Sequence, residues 1–537
     1  MFSELLSYLG SLFVVFNFLR YLKISVRRSL WVILILGSLP AMIVETQSVQ
    51  SDLLMGFLLV SAFYLFVFGV RESDKSAIIL SALGWGIAIG TKNTGFLFIS
   101  PFIAAFTLIA IKELKKEFYK PLLVFVKAFL LFAFLLSSYW YILNFIDFGS
   151  PMGPVMTVSK HCADRSTVGI IAAMLRYMFI FLDFSGIPWV ATITSSLIEA
   201  QNRLFNFLHL KNTFGVAVTM GDIQLVNTVV HENYSMLGII GFLLFFPLVF
   251  ICIFKHLRFN KDKSFYIALS ALITGLFLVT ISSFMGYSHW YTRFFTTAAI
   301  ISSPVLVYCY RRRMNVAKFV IFLIVIYGYV IFPTMNRSRP FLYVIDQLRE
   351  YKFSDFRNEF RFRHEQLPPV RYTEYYLVKY LLMTVPPGAR IGLIFNEGDM
   401  YYHFFEEKIR WNLETIRYNL FLKRKNYNDY DYIIISDGKR QTLFYNQRGK
   451  TRFDYIIKGK MLVPKPHTDL RTVTVYSDKY GHIIDKGIPA LMANTIYLKQ
   501  IPRNFKLIKT FKAQAGKEYT DKYYVYKNMD RNFYTLR

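Results

Sequence analysis

Cysteine is scarce in this chain and acid is in short supply. Only 3 cysteines occur in 537 residues. Cys252 and Cys309 lie inside apolar runs and Cys162 stands alone, so neither a disulfide framework nor a metal-ligand spacing can be built from them. The histidines of the last third, His364, His403, His467 and His482, also lack ligand spacing. There is no glycine-rich phosphate cradle: "NEGD" at 396–399 and "SDGKR" at 436–440 lack P-loop spacing. No cleavable leader is visible in the first apolar run, which is expected to be retained. With 35 acids against 63 basic residues the formal net charge is +28, so any acid set between apolar segments stands out.

Apolar residues are abundant. They make up 54% of the chain, with Phe 53, Tyr 37 and a mean hydropathy of +0.33, which is too apolar for a soluble protein of this length. A spanning helix needs roughly 20 mostly apolar residues. That ruler predicts about ten spans, near 3–19, 29–44, 53–70, 77–91, 95–111, 121–145, 237–254, 265–285, 295–310 and 317–334. The expected fold class is therefore a polytopic α-helical membrane protein.

After Met335 the pattern turns charged and mixed, punctuated by Pro368, Pro369, Pro386 and Pro387. Residues 1–335 are read as the transmembrane domain and 336–537 as a soluble basic domain. In the latter, "YYLVKYLLM" predicts a helix, "ARIGLIF" and "DYIIIS" buried strands, and "FKLIKTF" with "YYVYK" a closing hairpin, together an α/β domain. It carries 37 of the 63 basic residues against 21 acids. An outward location argues against nucleic acid as its partner and for anionic lipid, acidic glycan or plain solubility.

Charge in the short loops gives the orientation. Basic clusters recur in every second loop: Arg20, Lys23, Arg27 and Arg28; Arg71 and Lys75; Lys112, Lys115, Lys116 and Lys120; Lys255, Arg258, Lys261 and Lys263; Arg311, Arg312, Arg313 and Lys318. By the positive-inside rule these face the cytoplasm. The loops 45–52, 92–94 and 286–293, the long stretch 146–236 and the C-terminal domain then face outward. The apolar piece 170–182 becomes an interfacial helix or half of a re-entrant pair. Arg176, Arg203 and Lys211 are expected to snorkel, to anchor helices to headgroups or to bind a donor phosphate.

The outward loops collect the chemistry. "ETQSVQSDLL" at 45–54 carries Glu45, Gln50 and Asp52 with no Lys or Arg. Lys92 follows in "GTKNTG", Asn144 and Asp147 in "YILNFIDFGSPMGP", then Lys160 and His161, His231 and Glu232 in "HENYSMLG", and His289 with Arg293 in "GYSHWYTRF". Each alone reads as a solvated or interfacial side chain. As a set they carry more weight, because ionisable groups at a membrane edge are costly and face cavities or partners.

Three stretches in order, "QSVQSD" after Pro40, "GIAIGTKNTG" with Gly86, Gly90, Thr91 and Lys92, and "WYILNFIDFGSPMGP" with Trp140, Tyr141, Asn144, Phe148, Gly149 and Pro151, resemble the GT-C class of membrane glycosyltransferases. The likeness is to the bacterial branch related to protein O-mannosyltransferases and lipid A aminoarabinose transferases, and "HEN" at 231–233 is similar to a His-Glu-Asp segment of some members. It covers residues 1–335 in pattern. It implies inverting transfer of a sugar from a polyprenyl-phosphate donor to a glycan, lipid or protein acceptor, outside a bacterial inner membrane, possible use of a divalent metal ion included. Under that resemblance Asp52, Glu45 and Glu232 are candidate catalytic acids. Lys92, Arg293 and Lys160 would hold the donor phosphate, and Gln50, Asn144, His231 and His289 would meet the acceptor.

The same resemblance implies one more acid, in a first outward loop that lies upstream of where this sequence begins, with Asp52 as the second. A missing upstream span, a partner subunit supplying it, or an inactive, degenerate glycosyltransferase is therefore expected. Two other classes stay open. A noncatalytic membrane subunit explains the missing acid directly, and a transporter of lipid-linked sugars needs internal repeats or mid-membrane charges that are not detected.

Overall fold

The computed structural model describes residues 2–48, 50–153, 166–184, 190–210, 214–217, 230, 237–256, 262–310, 316–335, 372–394, 411–415, 429–436, 455–458, 461–464, 475–476, 504–515 and 519–530. The chain forms two compact units, one of Met1–Ile142 and Ser159–Val344, the other of Leu143–Val158 and Ile345–Arg537.

The first unit is a bundle of apolar helices. Its leading elements are α1 (Phe2–Tyr21), α2 (Val26–Gly37), α3 (Pro40–Glu45), α4 (Asp52–Arg71), α5 (Lys75–Thr91), α6 (Ile99–Leu114) and α7 (Tyr119–Phe148) as far as Ile142. Helices Thr167–Ile180, Val190–Phe207, Phe246–His256, Asp262–Phe284, Phe294–Ser302 and Val316–Met335 follow. Among the described residues seven helical stretches are long and apolar enough to cross a membrane, and the protein is membrane-embedded. Helix occurs at all ten predicted spans, but α1, α2–α3 and α5 are not among those seven. The 29–44 span is two pieces: the chain leaves helical geometry at Leu39, and Pro40, which has no N–H to donate, opens α3 at its first turn.

Local chemistry fixes the helix ends. Asp74 caps α5, its carboxylate accepting from the amides of Ser76 at 2.8 Å and Ala77 at 3.3 Å. A π-helical turn, Gly241–Phe245, precedes Phe246–His256. The core between helices is aromatic, with Phe66 stacked on Phe106 at 3.8 Å and Phe98 on Phe277 at 4.2 Å.

The described residues of the basic loops gather at one end. Tyr21 donates to Glu72, and the Arg71 guanidinium sits 5.2 Å from the Tyr21 ring and 5.3 Å from that of Tyr266. Lys112 lies over Phe265 and Tyr266, and Lys318 over Trp31 and Tyr310. Because α4 and α5 run in opposite directions from this end, Asp52 and Lys92 are carried to the other one.

In the 146–236 stretch the helix Thr167–Ile180 packs on Asp262–Phe284, Tyr177 donating to the Gly286 carbonyl at 2.8 Å. Arg176 corrects the expectation of a snorkelling or headgroup-binding side chain. It is buried, its guanidinium 4.4 Å from the Phe205 ring and donating to the Phe214 carbonyl, and burial pushes it down to about 10. Arg203 pairs with Glu199 at an exposed site, while Lys211 lies outside the described residues.

The second unit contains a five-stranded sheet of order β2-β1-β3-β8-β7. Its strands are β1 (Arg390–Ile394), β2 (Asn412–Thr415), β3 (Tyr432–Ser436), β7 (Phe505–Ala515) and β8 (Tyr519–Asn528), with β1 parallel to both β2 and β3 and β8 antiparallel to β3 and β7. A separate antiparallel sheet holds β4 (Tyr455–Lys458), β5 (Met461–Pro464) and β6 (Val475–Tyr476). Helix Tyr372–Thr384 adds Leu377, Val378 and Leu381 to a core with Ile391, Trp411, Ile434 and Val525.

Candidate functional site

Asp52 opens α4 and Lys92 follows the last residue of α5. Their side chains meet: Lys92 Nζ lies 2.5 Å from Asp52 Oδ1, and Arg293 Nε is 3.7 Å from Asp52 Oδ2. Asp52 and Glu45 are both fully buried. The ring of Phe294 lies under both cations, 4.9 Å from the Lys92 ammonium and 5.4 Å from the Arg293 guanidinium.

Two adjacent hydroxyls fix the acids. Thr296 donates to Glu45 Oε1 at 2.8 Å, and Thr297 to the Asp52 carbonyl at 3.0 Å. Their helix reaches α4 closely because Gly56 has no side chain. A Cβ there would collide with Ile300 and lie 3.5 Å from Thr297 Cα.

The glycines of "GIAIGTK" seat α5. A Cβ at Gly86 would come within 2.7 Å of Phe132 Cβ, and one at Gly90 within 2.9 Å of Ser137 Cβ. Ser137 also donates to the Gly86 carbonyl at 2.5 Å. This is the small-residue helix contact common in membranes, which permits close backbone approach. Tyr141, one helical turn past Ser137, donates to the Ile89 carbonyl at 2.8 Å and to Asn93 Oδ1 at 3.0 Å. Together these contacts set the turn that carries Lys92.

Burial raises the Glu45 carboxyl well above the ordinary range, and the Asp52 charge adds to that, while Lys92, the Thr296 hydroxyl and Arg293 act the other way. Burial lowers Lys92, against the pull of Asp52. Both groups lie in the turns between predicted spans.

Glu4 is a third buried acid, unflagged in the sequence. It accepts from the Leu54 backbone amide and senses the charges of Asp52 and Lys92. Glu4 Oε2, Glu45 Oε2 and Asp52 Oδ2 are buried acceptors with no hydrogen-bond donor among the described residues. Buried polar atoms are normally satisfied, so three such oxygens in one cluster describe a place for incoming donors. Thr296 and Thr297 were also missed. The available signals were an acid opening the first apolar run and a hydroxyl pair within "RFFTTAAI".

The other predicted residues divide into three groups. His289 is buried in the turn His289–Tyr291 that leads to Arg293, and Gln50 is half-buried beside Asp52 in sequence. Asn144 donates to the Pro151 carbonyl at 3.2 Å within the second unit. Lys160, His161, His231 and Glu232 lie outside the described residues, as does the side chain of Asp147. Among the described residues no three His, Cys, Asp or Glu side chains are placed to hold a metal ion.

Comparison with protein families, with curated proteins and with solved structures yields no match to this chain.

Proposed function

We propose that this protein is a membrane glycosyltransferase of the GT-C type, transferring a sugar from a polyprenyl-phosphate donor to an acceptor at the outer end of a ten-span bundle. The observation that carries the reading is the buried junction of Asp52 with Lys92 and Arg293, joined by Glu45 and Glu4. It lies at the end of α4 and α5 opposite the basic loops. Under the positive-inside rule those loops are cytoplasmic, which turns the cluster and the C-terminal domain outward.

The chemistry needs two things that the cluster contains. An attacking acceptor hydroxyl must lose its proton, and a carboxylate within hydrogen-bond reach accepts it; Asp52 Oδ2, ion-paired with Arg293 but accepting no hydrogen bond among the described residues, and Oε2 of Glu45 are such acceptors. The leaving lipid phosphate gains negative charge as the glycosidic bond breaks, and fixed cations lower that barrier. Lys92 and Arg293 supply the positive charge, and a donor phosphate arriving here competes with Asp52 for Lys92. The bond from the anomeric carbon to phosphate oxygen breaks while that to the acceptor oxygen forms.

A noncatalytic membrane subunit is the second reading. It is favoured by the 2.5 Å Asp52–Lys92 pair, in which each charge already satisfies the other. The test is release of polyprenyl phosphate from a panel of polyprenyl-phosphate sugars by the full chain in liposomes. Turnover that drops by about 10²-fold or more in Asp52→Asn is the expected result. Turnover unchanged in that variant removes Asp52 from the mechanism, and none in wild type from any donor favours the subunit.

A further inference from the structure

A second site lies at the basic end of the bundle. A groove of about 490 Å³ is lined by Arg27, Leu30, Trp31 and Leu34 of α2, with Tyr310 and Tyr329 opposite. Arg27, Leu30, Trp31 and Leu34 recur at helical spacing on one face, with Ile33 beside them, so the groove runs roughly 10 Å along the helix from a charged mouth to an apolar floor. Leu30 is half exposed, and so are Phe319, Val320 and Val330 on helix Val316–Met335. In an embedded protein such surface meets lipid tails.

Three cations gather at the mouth. Arg27 lines it, the Arg28 guanidinium is 5.9 Å from the Tyr310 ring, and Lys318 Nζ is 4.3 Å from Tyr310 and 5.5 Å from Trp31. Among the described residues neither Arg27 nor Arg28 is in an ion pair. We infer that this groove binds one anionic phospholipid, its phosphate held by Arg27, Arg28 and Lys318 and one acyl chain laid along Leu30 and Leu34 against Tyr329. Charge selects the headgroup: basic side chains attract anionic lipid, and the amphipathic Trp31 and Tyr310 sit where headgroup meets tail. The apolar floor selects a lipid over a soluble anion. This inference needs the membrane location alone and is independent of glycosyl transfer.

The test uses the purified full chain in detergent with equal amounts of phosphatidylglycerol and phosphatidylcholine, and native mass spectrometry to count retained lipid. Wild type should prefer phosphatidylglycerol by about tenfold. The triple variant Arg27→Ala, Arg28→Ala, Lys318→Ala should lose that preference, and the charge-conserving Arg27→Lys, Arg28→Lys, Lys318→Arg should keep it. Leu34→Trp, which fills the floor and leaves the cations in place, should lower retention of both lipids. Equal retention of the two lipids by wild type, or an undiminished preference in a folded triple-alanine variant, overturns the proposal. So does competition by glycerophosphoglycerol at the concentration of the intact lipid, which would mark a site for a soluble anion. A doubled mass abolished by Leu34→Trp would instead assign the groove to a second copy of the chain.

Discussion

Lys92 Nζ and Asp52 Oδ1 lie 2.5 Å apart, tying the end of α5 to the start of α4 across a 40-residue separation. A carboxylate at a helix N-terminus is favoured by the helix dipole, which by itself accounts for an acid at this position. The partner from another helix and the second cation, Arg293, do not follow from that dipole. They make the pair a junction between elements.

Removing one partner should be worse than removing both. Asp52→Asn takes away the carboxylate that pairs with both Lys92 and Arg293, at an expected cost of about 3–5 kcal/mol. The double variant Asp52→Asn, Lys92→Met should recover most of that loss. Thermal unfolding of the single and double variants in detergent measures the coupling.

Glu45 should give the fold a pH dependence of definite sign. Its folded-state pKa is raised, so its contribution to stability is full below the ordinary carboxyl value of 4.5 and is lost as pH rises toward the folded value. Glu45→Gln should therefore gain stability relative to wild type as pH rises from 5 to 8. Thr296→Val, which removes a hydroxyl favouring the charged form, should enlarge the wild-type effect. Melting curves across that pH range decide both.

The glycine contacts of α5 should be intolerant of size. Gly90→Val would drive a branched side chain into Ser137, and overpacking of this kind costs about 1–3 kcal/mol. Because α5 carries Lys92, the same substitution should lower the proposed sugar transfer as well as the unfolding midpoint. Ser137→Gly should partly rescue it.

Among the described residues of the second unit Trp411 is the largest buried side chain, its indole N–H donating to the Val385 carbonyl at 3.3 Å. Trp411→Ala should cost about 3–5 kcal/mol. The loss should appear as faster hydrogen exchange in β1 and β2, with the helices of the first unit unchanged.

Apolar length and basic loops made the bundle readable, because both are properties of contiguous sequence. "ARIGLIF" and "DYIIIS" became adjacent parallel strands for the same reason: each is a short, nearly continuous apolar run. The short strand β2 has no such pattern, being set by its neighbour β1. Asp52, Lys92, Glu45 and Arg293 were legible as exceptions in an apolar, basic chain. Glu4 was not, since an acid near a chain start is unremarkable until α1 is laid beside α4. Thr296 and Thr297 lacked any mark because hydroxyls are common within spans. The pairing of 52 with 92, and of 45 with 296, is tertiary information that no local periodicity holds.

Thr296 and Thr297 are neighbours on one helix, yet the first grips the Glu45 carboxylate and the second the Asp52 backbone. Turning that helix by a single residue, about 100°, would release both grips in one movement. The two acids of the 45–52 turn are thus held from one helix, one by its carboxylate and the other through its backbone, so the angular setting of a single element fixes both.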